Sequence, residues 1–429
     1  MKKRIALVSL GCAKNLVDSE QMLAMFPPDR FDLTSDPSSA DLILVNTCGF
    51  IQSAKEESIG AILKMAQYKA RAKLVVTGCL ATRYAEQLRE EIPEADLIVP
   101  LKDYPELSKK LEALLGEGGI LEMNPLRRVV STSSYSAYLR ISDGCNNFCT
   151  FCAIPRIRGR FLSRPYGEIM EEAKRLREQG VKEISLISQD TTVYGIDRKE
   201  GKDIVALLKD LEAIGFYSIR LLYLYPSEIS DELIRTIAES KVIAHYFDVP
   251  VQCASDHLLK LMHRHADAKE TVLLFQKIKR MCPDAVLRTT LISGFPGENE
   301  EDQKLTLQFL DEVCFDKMGC FTYSREEGTP AYSYPDQVPE KLKKKRRDEL
   351  MKKQASISYR KNKEKVGLEM EGIVIGKQGG SYLLRSYWNA PDDIDGNILF
   401  SPKKEHEEGD IVRVKITSAF VYDLQGEEI

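Results

Sequence analysis

Three cysteines lie within eight residues near the middle of the chain, in the stretch "GCNNFCTFCAIP". They are Cys145, Cys149 and Cys152, and the neighbouring sequence offers no evident fourth ligand. Structural zinc takes four protein ligands, and catalytic zinc sites that use cysteine usually add a histidine. All five histidines of the chain lie at residue 245 or beyond. A four-iron four-sulfur cluster with one iron open to an exogenous ligand therefore fits these three thiols better than zinc does.

A second group of cysteines, Cys12, Cys48 and Cys79, is spread over the first hundred residues. Each ends a short apolar run, and the runs are "RIALVSLGC", "DLILVNTC" and "KLVVTGC". Such runs predict buried parallel strands, and helical segments such as "NLVDSEQMLAMF" between them predict a doubly wound sheet. Cysteines are also common core residues, but these lie just beyond the strands and beside glycines. Because parallel strands end at one edge, we expect a second three-thiolate site there.

The central spacing, Cys-x3-Cys-x2-Cys with Phe151 before the last cysteine, resembles the signature of the radical S-adenosylmethionine superfamily. The resemblance implies that S-adenosylmethionine chelates the open iron, and that an electron from the cluster cleaves it to a 5'-deoxyadenosyl radical. The motif follows the run "AYLRIS" and precedes five further strand-like runs that alternate with helices. The resemblance implies a partial (β/α)6 barrel, with its active site at the carboxyl ends of the strands.

Polar residues and glycines follow several of these predicted strands and are candidates for holding S-adenosylmethionine. Glycines would let main-chain atoms reach the adenine, and polar side chains could hold the ribose and methionine groups. Ordinary turn residues are the alternative for each position. The candidates are Phe151, Gln189, Asp190, Asp248, Gln252, Gly294, Gly297 and Glu298.

Nearly the whole chain resembles the methylthiotransferases of this superfamily, through "GCAKNLVDSE", "NTCGFI", "TGC", "ISDGCNNFCTFCAIPRIRGRFLSR", "ISGFPGE" and "YSREEGTPAY". The resemblance implies two four-iron four-sulfur clusters. An auxiliary cluster would be held by Cys12, Cys48 and Cys79, and the radical cluster by Cys145, Cys149 and Cys152. One S-adenosylmethionine would methylate a sulfur carried by the auxiliary cluster. A second would generate the radical that takes hydrogen from an unactivated substrate carbon, chemistry that the cofactor supplies.

The last third of the chain changes character twice. A basic stretch at 337–366 has helical composition and could touch RNA phosphates, although a solvated helix face is the commoner explanation. Beyond it, short alternating runs separated by glycines predict a small all-β barrel, whose placement resembles a TRAM domain. We therefore predict three domains: 1–120 with the auxiliary cluster, 131–365 as the radical core, and 366–429 as the TRAM-like barrel.

Charge on this last domain favours one substrate over another. Residues 367–429 contain six Lys or Arg and twelve Asp or Glu, a net charge of −6, which suits a basic protein better than a phosphate backbone. The stretch "RSYWNAPDDIDGNILF" resembles the methylthiotransferase branch that modifies an aspartate β-carbon of ribosomal protein uS12, apart from one extra Asp in "PDDIDG". The alternatives are the branch that modifies N6-isopentenyladenosine in tRNA, and a non-catalytic RNA-binding protein with closed structural metal sites.

Composition limits the remaining possibilities. The 429 residues are 43% hydrophobic and 29% charged with a net charge of −4, as in folded soluble proteins. The N-terminal apolar run is too short for a signal peptide, and no run is long enough to span a membrane. We expect a cytoplasmic protein whose ten cysteines stay reduced. No heptad run demands an oligomer, so we expect a monomer, together with an external reducing electron donor.

Overall fold

The computed structural model describes residues 2–392 and 394–429, so that Asp393 of the "PDDIDG" insertion lies outside the described residues. The strands are β1 Lys3–Ser9, β2 Phe31–Leu33, β3 Leu42–Thr47, β4 Lys73–Gly78, β5 Leu97–Val99, β6 Ser136–Arg140, β7 Ser142–Asp143, β8 Leu162–Ser163, β9 Glu183–Ile187, β10 Ser218–Leu221, β11 Tyr246–Asp248, β12 Val286–Ser293, β13 Lys317–Thr322, β14 Glu369–Gln378, β15 Ser381–Arg385, β16 Ile398–Ser401, β17 Ile411–Ala419 and β18 Leu424–Glu428.

The α-helices alternate with these strands through the first two thirds of the chain. They are α1 Ala13–Leu23, α2 Gln52–Ala66, α3 Cys79–Arg83, α4 Ala85–Glu91, α5 Leu107–Leu115, α6 Ile154–Ile157, α7 Tyr166–Glu178, α8 Ile204–Glu212, α9 Asp231–Glu239, α10 Asp256–Leu261, α11 Ala268–Met281, α12 Glu300–Val313 and α13 Glu340–Lys363. No helix in the described ranges combines the length and apolarity that a membrane crossing requires.

The N-terminal part is a five-stranded parallel sheet in the order β2-β1-β3-β4-β5. Its three central strands are the runs that end in cysteine, which confirms the predicted doubly wound arrangement. β3 is buried at every position because helices cover both faces of the sheet. The two edge strands have only three residues each, too few to produce a recognisable pattern in the sequence.

The central part contains the six predicted strands in two parallel sheets, β10-β9-β6 and β11-β12-β13. A single parallel bridge between Ile219 and Ile243 joins them, which gives the expected partial barrel. Its core is one continuous cluster of aliphatic and aromatic residues from the strands and the surrounding helices. β6 and β13 do not pair with one another, so the barrel is open on one side.

The basic stretch forms α13, and one face of this helix is packed rather than solvated. Its buried positions recur every three or four residues, which places them on one side of the helix. Lys343 Nζ donates to Tyr323 O at 3.0 Å, and Gln354 Nε2 donates to Phe315 O at 2.7 Å. At the far end Asn362 Nδ2 donates to Phe420 O at 3.0 Å. The helix therefore joins the central barrel to the C-terminal domain.

The C-terminal domain is a closed barrel of β14-β15-β16-β18-β17, and the connection between β15 and β16 reaches into the central barrel. Arg220, which is fully buried, donates to Ser386 O at 2.8 Å. Lys317 Nζ donates to Asp395 O at 2.6 Å, and Tyr246 OH donates to the carboxylate of Asp395. Because Lys317 and Tyr246 begin their strands, the connection closes the amino-terminal end of the central barrel.

Trp388 lies in this connection and provides a test of how much the closure stabilises the protein. Its side chain is fully buried, with Lys317 Nζ 3.2 Å from the ring centroid. Trp388→Ala is expected to lower the free energy of unfolding by about 3–5 kcal/mol, because it leaves a cavity beside a buried cation. The exposed Tyr422→Ala on the same domain is the control and should cost under about 1 kcal/mol. Equal effects in urea unfolding would contradict the packing role.

Candidate metal centres and cofactor site

The first three cysteines meet at one edge of the N-terminal sheet. β3 and β4 end in register, where Thr47 pairs with Gly78, and Cys48 and Cys79 are the next residues of the two strands. Cys12 lies at the N-terminus of α1, in the turn that follows β1. Cys48 and Cys79 are buried and Cys12 is exposed. The parallel register therefore brings together three thiols that are far apart in sequence.

Close packing of the turns explains one of the glycines beside these cysteines. Gly11 has φ +91°, and a Cβ placed there would lie only 2.7 Å from Cβ of Cys48. Asn15 holds the same turns, since its Nδ2 donates to Leu10 O and to Thr47 O, each at 3.0 Å. Gly11 thus allows one cysteine turn to approach another.

Arg158 extends from the central domain to this group of cysteines. Its side chain is 2% exposed, and its guanidinium pairs with Asp18 at 2.8 Å and with Asp143 at 3.0 Å. It also donates to Asn15 Oδ1 at 2.7 Å and lies 3.9 Å from Cys79 Sγ. A cation in contact with one sulfur offsets negative charge on a thiolate-bound centre.

The second group of cysteines lies in the loop between β7 and α6, with Cys149 buried and the other two partly exposed. Thr150 N donates to Met262 O at 3.1 Å, and Thr150 Oγ1 donates to Leu261 O at 2.8 Å. Arg264, from the same neighbouring segment, lies with one guanidinium nitrogen 3.6 Å from Cys149 Sγ and donates to Pro250 O at 2.6 Å. Each cysteine group therefore has one arginine beside one of its sulfurs.

Burial disfavours the charged form of several of these thiols. It raises the pKa of Cys79 to about 12, against the opposing effect of Arg158. It likewise raises the pKa of Cys152 to about 12 and that of Cys145 to about 11. A bound metal deprotonates a coordinating thiol, because its positive charge outweighs the cost of burial. The thiols are thus suited to a metal centre and poorly suited to act as free nucleophiles.

The cysteine sulfurs are not grouped as tightly as the ligands of a single ion would be. Across residues 2–392 and 394–429, three metal-ligand atoms lie within 4.8 Å of one another only at His245, Cys282 and Asp284, where His245 Nδ1 pairs with Asp284 at 2.8 Å. Neither cysteine triplet is so compact. A cluster binds each thiolate through a different iron, which requires wider spacing than one shared ion. The donor sets therefore fit iron–sulfur clusters.

Two of the predicted cofactor residues lie directly beside the second cysteine loop. Asp190 is 2% exposed and accepts a hydrogen bond from Asn147 Nδ2 at 2.8 Å, so that its carboxylate positions that loop. Burial raises the pKa of Asp190, while its hydrogen bonds oppose this. Gln189 Nε2 donates to Asp143 Oδ1 at 3.0 Å, and its Oε1 is buried without a partner among the described residues. Gln189 can therefore accept a hydrogen bond from a bound cofactor.

The "GFPGE" residues are held by α13. A Cβ on Gly294, which has φ +78°, would lie 2.1 Å from Cγ of Lys343, so this glycine makes room for the helix. Glu298 accepts from Gly294 N at 2.8 Å and from Arg346 at 3.0 Å. Gly297 has φ +87° and lies near Leu261. Gly294 N and Gly297 N are engaged by Glu298 and by Asp336 O at 3.0 Å, and the Glu298 carboxylate is engaged as well, so this loop offers a ligand its main-chain carbonyl groups.

The three other candidates contact different parts of the central domain. Asp248 accepts from Arg288 at 2.7 Å and from Tyr223 N at 3.0 Å. Gln252 has φ +75° and lies between Thr290 and Ile292, which it joins through main-chain hydrogen bonds. Phe151 packs edge-on against Phe295, with ring centroids 6.4 Å apart.

Sequence reasoning missed four residues that contact these sites: Lys14, Asn15, Arg158 and Arg264. Three of them lie inside the motifs that carried the resemblance, "GCAKNLVDSE" and "IPRIRGR", so the motifs contain more than the metal ligands. Arg264 comes from the segment after α10 and has no local pattern that marks it. Its proximity to Cys149 depends on the folding of the barrel.

Glu326 joins the N-terminal and central parts and makes their contact sensitive to acid. It is 2% exposed and accepts from Lys55 and from Arg83, each at 3.0 Å. Burial alone would raise the pKa of Glu326, but hydrogen bonds from Ser324, Lys55 and Arg83 lower it overall. A depressed folded-state pKa contributes stability above the ordinary glutamate pKa of about 4.3, and this is lost as pH falls through the folded-state value.

Glu326→Gln is expected to destabilise the protein at neutral pH by about 3–5 kcal/mol, because two cations lose their buried partner. It should also reduce the loss of stability on acidification below the ordinary glutamate pKa. The exposed neighbour Glu327→Gln is the control. Unfolding measured from neutral to acidic pH checks both effects, and an unchanged acid profile in Glu326→Gln would refute the assignment.

Comparison with known proteins agrees with this architecture. The family model of the Radical SAM superfamily matches residues 139–310, the TRAM domain model matches 366–429, and the model described as uncharacterized protein family UPF0004 matches 4–100. A solved radical S-adenosylmethionine methyltransferase, TsrM from Kitasatospora setae, superposes with a TM-score of 0.56 at 12% identity. The superposition covers 77% of this chain and 74% of TsrM. Fold and site thus define a radical S-adenosylmethionine enzyme, which uses S-adenosylmethionine and four-iron four-sulfur clusters.

Curated relatives define the family more closely. Proteins named ribosomal protein uS12 methylthiotransferase RimO are 44% identical in Acetivibrio thermocellus, 43% in Geobacter sulfurreducens and 45% in Desulforamulus reducens. Each match covers at least 99% of this chain and 99% of the relative. The chain therefore belongs to the family of the ribosomal protein uS12 methylthiotransferases, within the radical S-adenosylmethionine methylthiotransferases.

Proposed function

We propose that this enzyme attaches a methylthio group to the β-carbon of an aspartate in ribosomal protein uS12. The observation that carries the proposal is the full-length identity of about 44% to relatives named for that activity. The net charge of −6 on residues 367–429 supports a basic protein as partner. The alternative substrate, N6-isopentenyladenosine in tRNA, is not favoured, because the curated relatives are named for uS12 and an acidic domain repels a phosphate backbone.

We further propose that the two cysteine groups hold the two clusters. Cys12, Cys48 and Cys79 would bind the auxiliary cluster, and Cys145, Cys149 and Cys152 the cluster that receives S-adenosylmethionine. When bound, these groups supply both the radical that removes hydrogen and the methylated sulfur that replaces it. The support is that each group combines three converging thiols with an arginine beside one sulfur.

The chain's own residues would position the reactants and exclude water. The Gln189 Oε1 acceptor and the main-chain carbonyl groups of Gly294 and Gly297 could orient S-adenosylmethionine near the second cysteine loop. Asp190 would act on the cofactor through Asn147, by holding that loop in place. Arg158 joins the two cysteine-bearing domains through Asp18 of the N-terminal domain, while Asp143 of its own domain holds the guanidinium in place. A radical reaction requires the protein to hold the reacting groups close together in the correct orientation.

The remaining features follow from this proposal. We propose domains at 1–120, 131–365 and 366–429, and a monomer that works in the cytoplasm where ribosomal subunits are made. An external donor must supply the electron that reduces the radical cluster. Of the three residues that would hold the auxiliary cluster, Cys12 is exposed, whereas Cys48 and Cys79 are buried.

The test is an intact-mass comparison of small-subunit ribosomal proteins from cells with and without this enzyme. In cells without the enzyme, we expect uS12 alone to be lighter, by the mass of one methylthio group less that of one hydrogen. Peptide fragmentation would then locate the modification on an aspartate. Unchanged uS12 mass, with loss of a methylthio group from tRNA nucleosides instead, would refute the proposal in favour of the tRNA activity.

A further inference from the structure

A buried lysine lies between the first cysteine group and the central barrel. Lys14 is in the first turn of α1, two residues after Cys12, and is only 6% exposed. Its Nζ lies 3.1 Å from the ring centroid of Tyr223, at the end of β10. Lysine is rarely buried to this degree unless a partner offsets the loss of hydration.

The surrounding carboxylates are engaged by arginines instead. Asp18 pairs with Arg140 and Arg158, and Asp248 pairs with Arg288 at 2.7 Å. In the part of the chain that the structure describes, Lys14 takes part in no ion pair within 4 Å with a carboxylate, although Cys12, Asp248 and Asp143 are near enough to act on its charge. Its ammonium group has three donors, and its close contact is the aromatic face of Tyr223.

Tyr223 is held in an unusual conformation beneath the lysine. Its φ of +65° is rare for a bulky residue and indicates backbone strain. Its N donates to Asp248 at 3.0 Å, and its carbonyl accepts from Thr191 N at 3.1 Å. Strained backbone conformations cluster at functional sites, and the functional sites of barrels lie at the carboxyl ends of the strands. Lys14 and Tyr223 thus occupy the region where the two cysteine-bearing domains face one another.

We propose that Lys14 binds the carboxylate of the substrate aspartate, an inference that rests on the proposed function. The β-carbon to be modified is bonded directly to that carboxylate, so a cation on the carboxylate fixes the position of the reacting carbon. A carboxylate that enters a buried site needs a counterion, and Lys14 needs an anion. The nearby arginines Arg140, Arg158 and Arg288 are already paired. An adenosine substrate carries no carboxylate and would leave the lysine without a partner.

The test compares two substrates with the full-length, cluster-loaded enzyme. One is uS12, and the other is uS12 in which the modified aspartate is replaced by asparagine. We expect wild-type enzyme to bind the aspartate form about 10- to 100-fold more tightly, the range for a hydrogen bond to a charged group. Lys14→Gln should weaken binding of the aspartate form by a similar factor and abolish the preference. Lys14→Arg should retain most of it, and the exposed control Lys64→Gln should behave as wild type.

The outcomes separate a failure of the Lys14 inference from a failure of the proposed function on which it rests. If wild-type enzyme modifies uS12 but binds both forms equally, Lys14 does not bind the carboxylate, whatever the variants do. If Lys14→Gln keeps the preference, the inference also falls while the function stands. If wild-type enzyme leaves uS12 unmodified, the proposed function itself has failed. Iron content of each variant confirms that both clusters are present, and Lys14→Arg serves if the glutamine variant loses iron.

Discussion

Cys149→Ala is expected to abolish reductive cleavage of S-adenosylmethionine, with 5'-deoxyadenosine formation falling to background. The cysteine loop offers three thiols and no fourth ligand, so the loss of one leaves too few to hold a cluster that also binds S-adenosylmethionine. Cys149 is the buried member of its group and has Arg264 beside its sulfur. The measurement is 5'-deoxyadenosine formed per enzyme under reducing conditions, with iron content determined on the same sample.

Cys48→Ala is the matched comparison, because it removes a buried ligand from the other group. It should leave 5'-deoxyadenosine formation measurable but stop the attachment of the methylthio group to uS12. Iron content should fall by about half in either variant if each group holds a cluster of the same size. Equal loss of cleavage in both variants would show that the two groups do not act as separate centres. Cys314→Ser, outside both groups, should change neither activity.

Arg158→Met is expected to lower the free energy of unfolding by about 3–5 kcal/mol, because it leaves Asp18 buried beside fewer cations. The Arg158 and Asp18 side chains are 2% and 3% exposed, so water cannot replace the lost interaction. The same change removes the cation near Cys79 Sγ. The reduction potential of the auxiliary cluster should therefore become more negative, since less positive charge stabilises the added electron.

Two measurements separate these effects. Denaturant unfolding gives the stability, and redox titration followed by electron paramagnetic resonance gives the potential of the auxiliary cluster. Arg235→Met, on the exposed side of α9, should change the free energy of unfolding by no more than about 0.5 kcal/mol and leave the potential unchanged. An unaltered potential in Arg158→Met would mean that Arg158 is purely a link between the domains.

The local sequence pattern was sufficient to predict the structure wherever a residue's role depends on its own strand or loop. The apolar runs predicted β1, β3 and β4, and the alternation of strands and helices predicted the six strands of the central barrel. The positions of Cys12, Cys48 and Cys79 just after those strands predicted their convergence, because parallel strands end at one edge. The all-β character of the C-terminal domain also followed from its glycine-separated runs.

Contacts between domains could not be predicted in this way. The basic composition of α13 suggested a solvated or RNA-facing helix, yet Lys343 and Arg346 are buried against the barrel. Trp388 lies in the stretch "RSYWNAPDDIDGNILF", and nothing local in that stretch indicated that the connection closes the amino-terminal end of another domain. Such contacts depend on which surfaces of different segments pack together. The sequence of one segment does not identify the segment against which it packs.

The sequence by itself determined the chemistry of this protein: two three-cysteine groups, the strands that position them, and an acidic C-terminal domain. These follow from residue type and spacing, which act locally through backbone geometry and ligand preference. Only the tertiary structure decided which charges are paired across the domains. It placed Arg158 beside Cys79 and left Lys14 buried over Tyr223 without an ion-pair partner among the described residues. The physical reason is that burial and charge pairing are properties of an assembled interface, where the cost of desolvation depends on every neighbouring group.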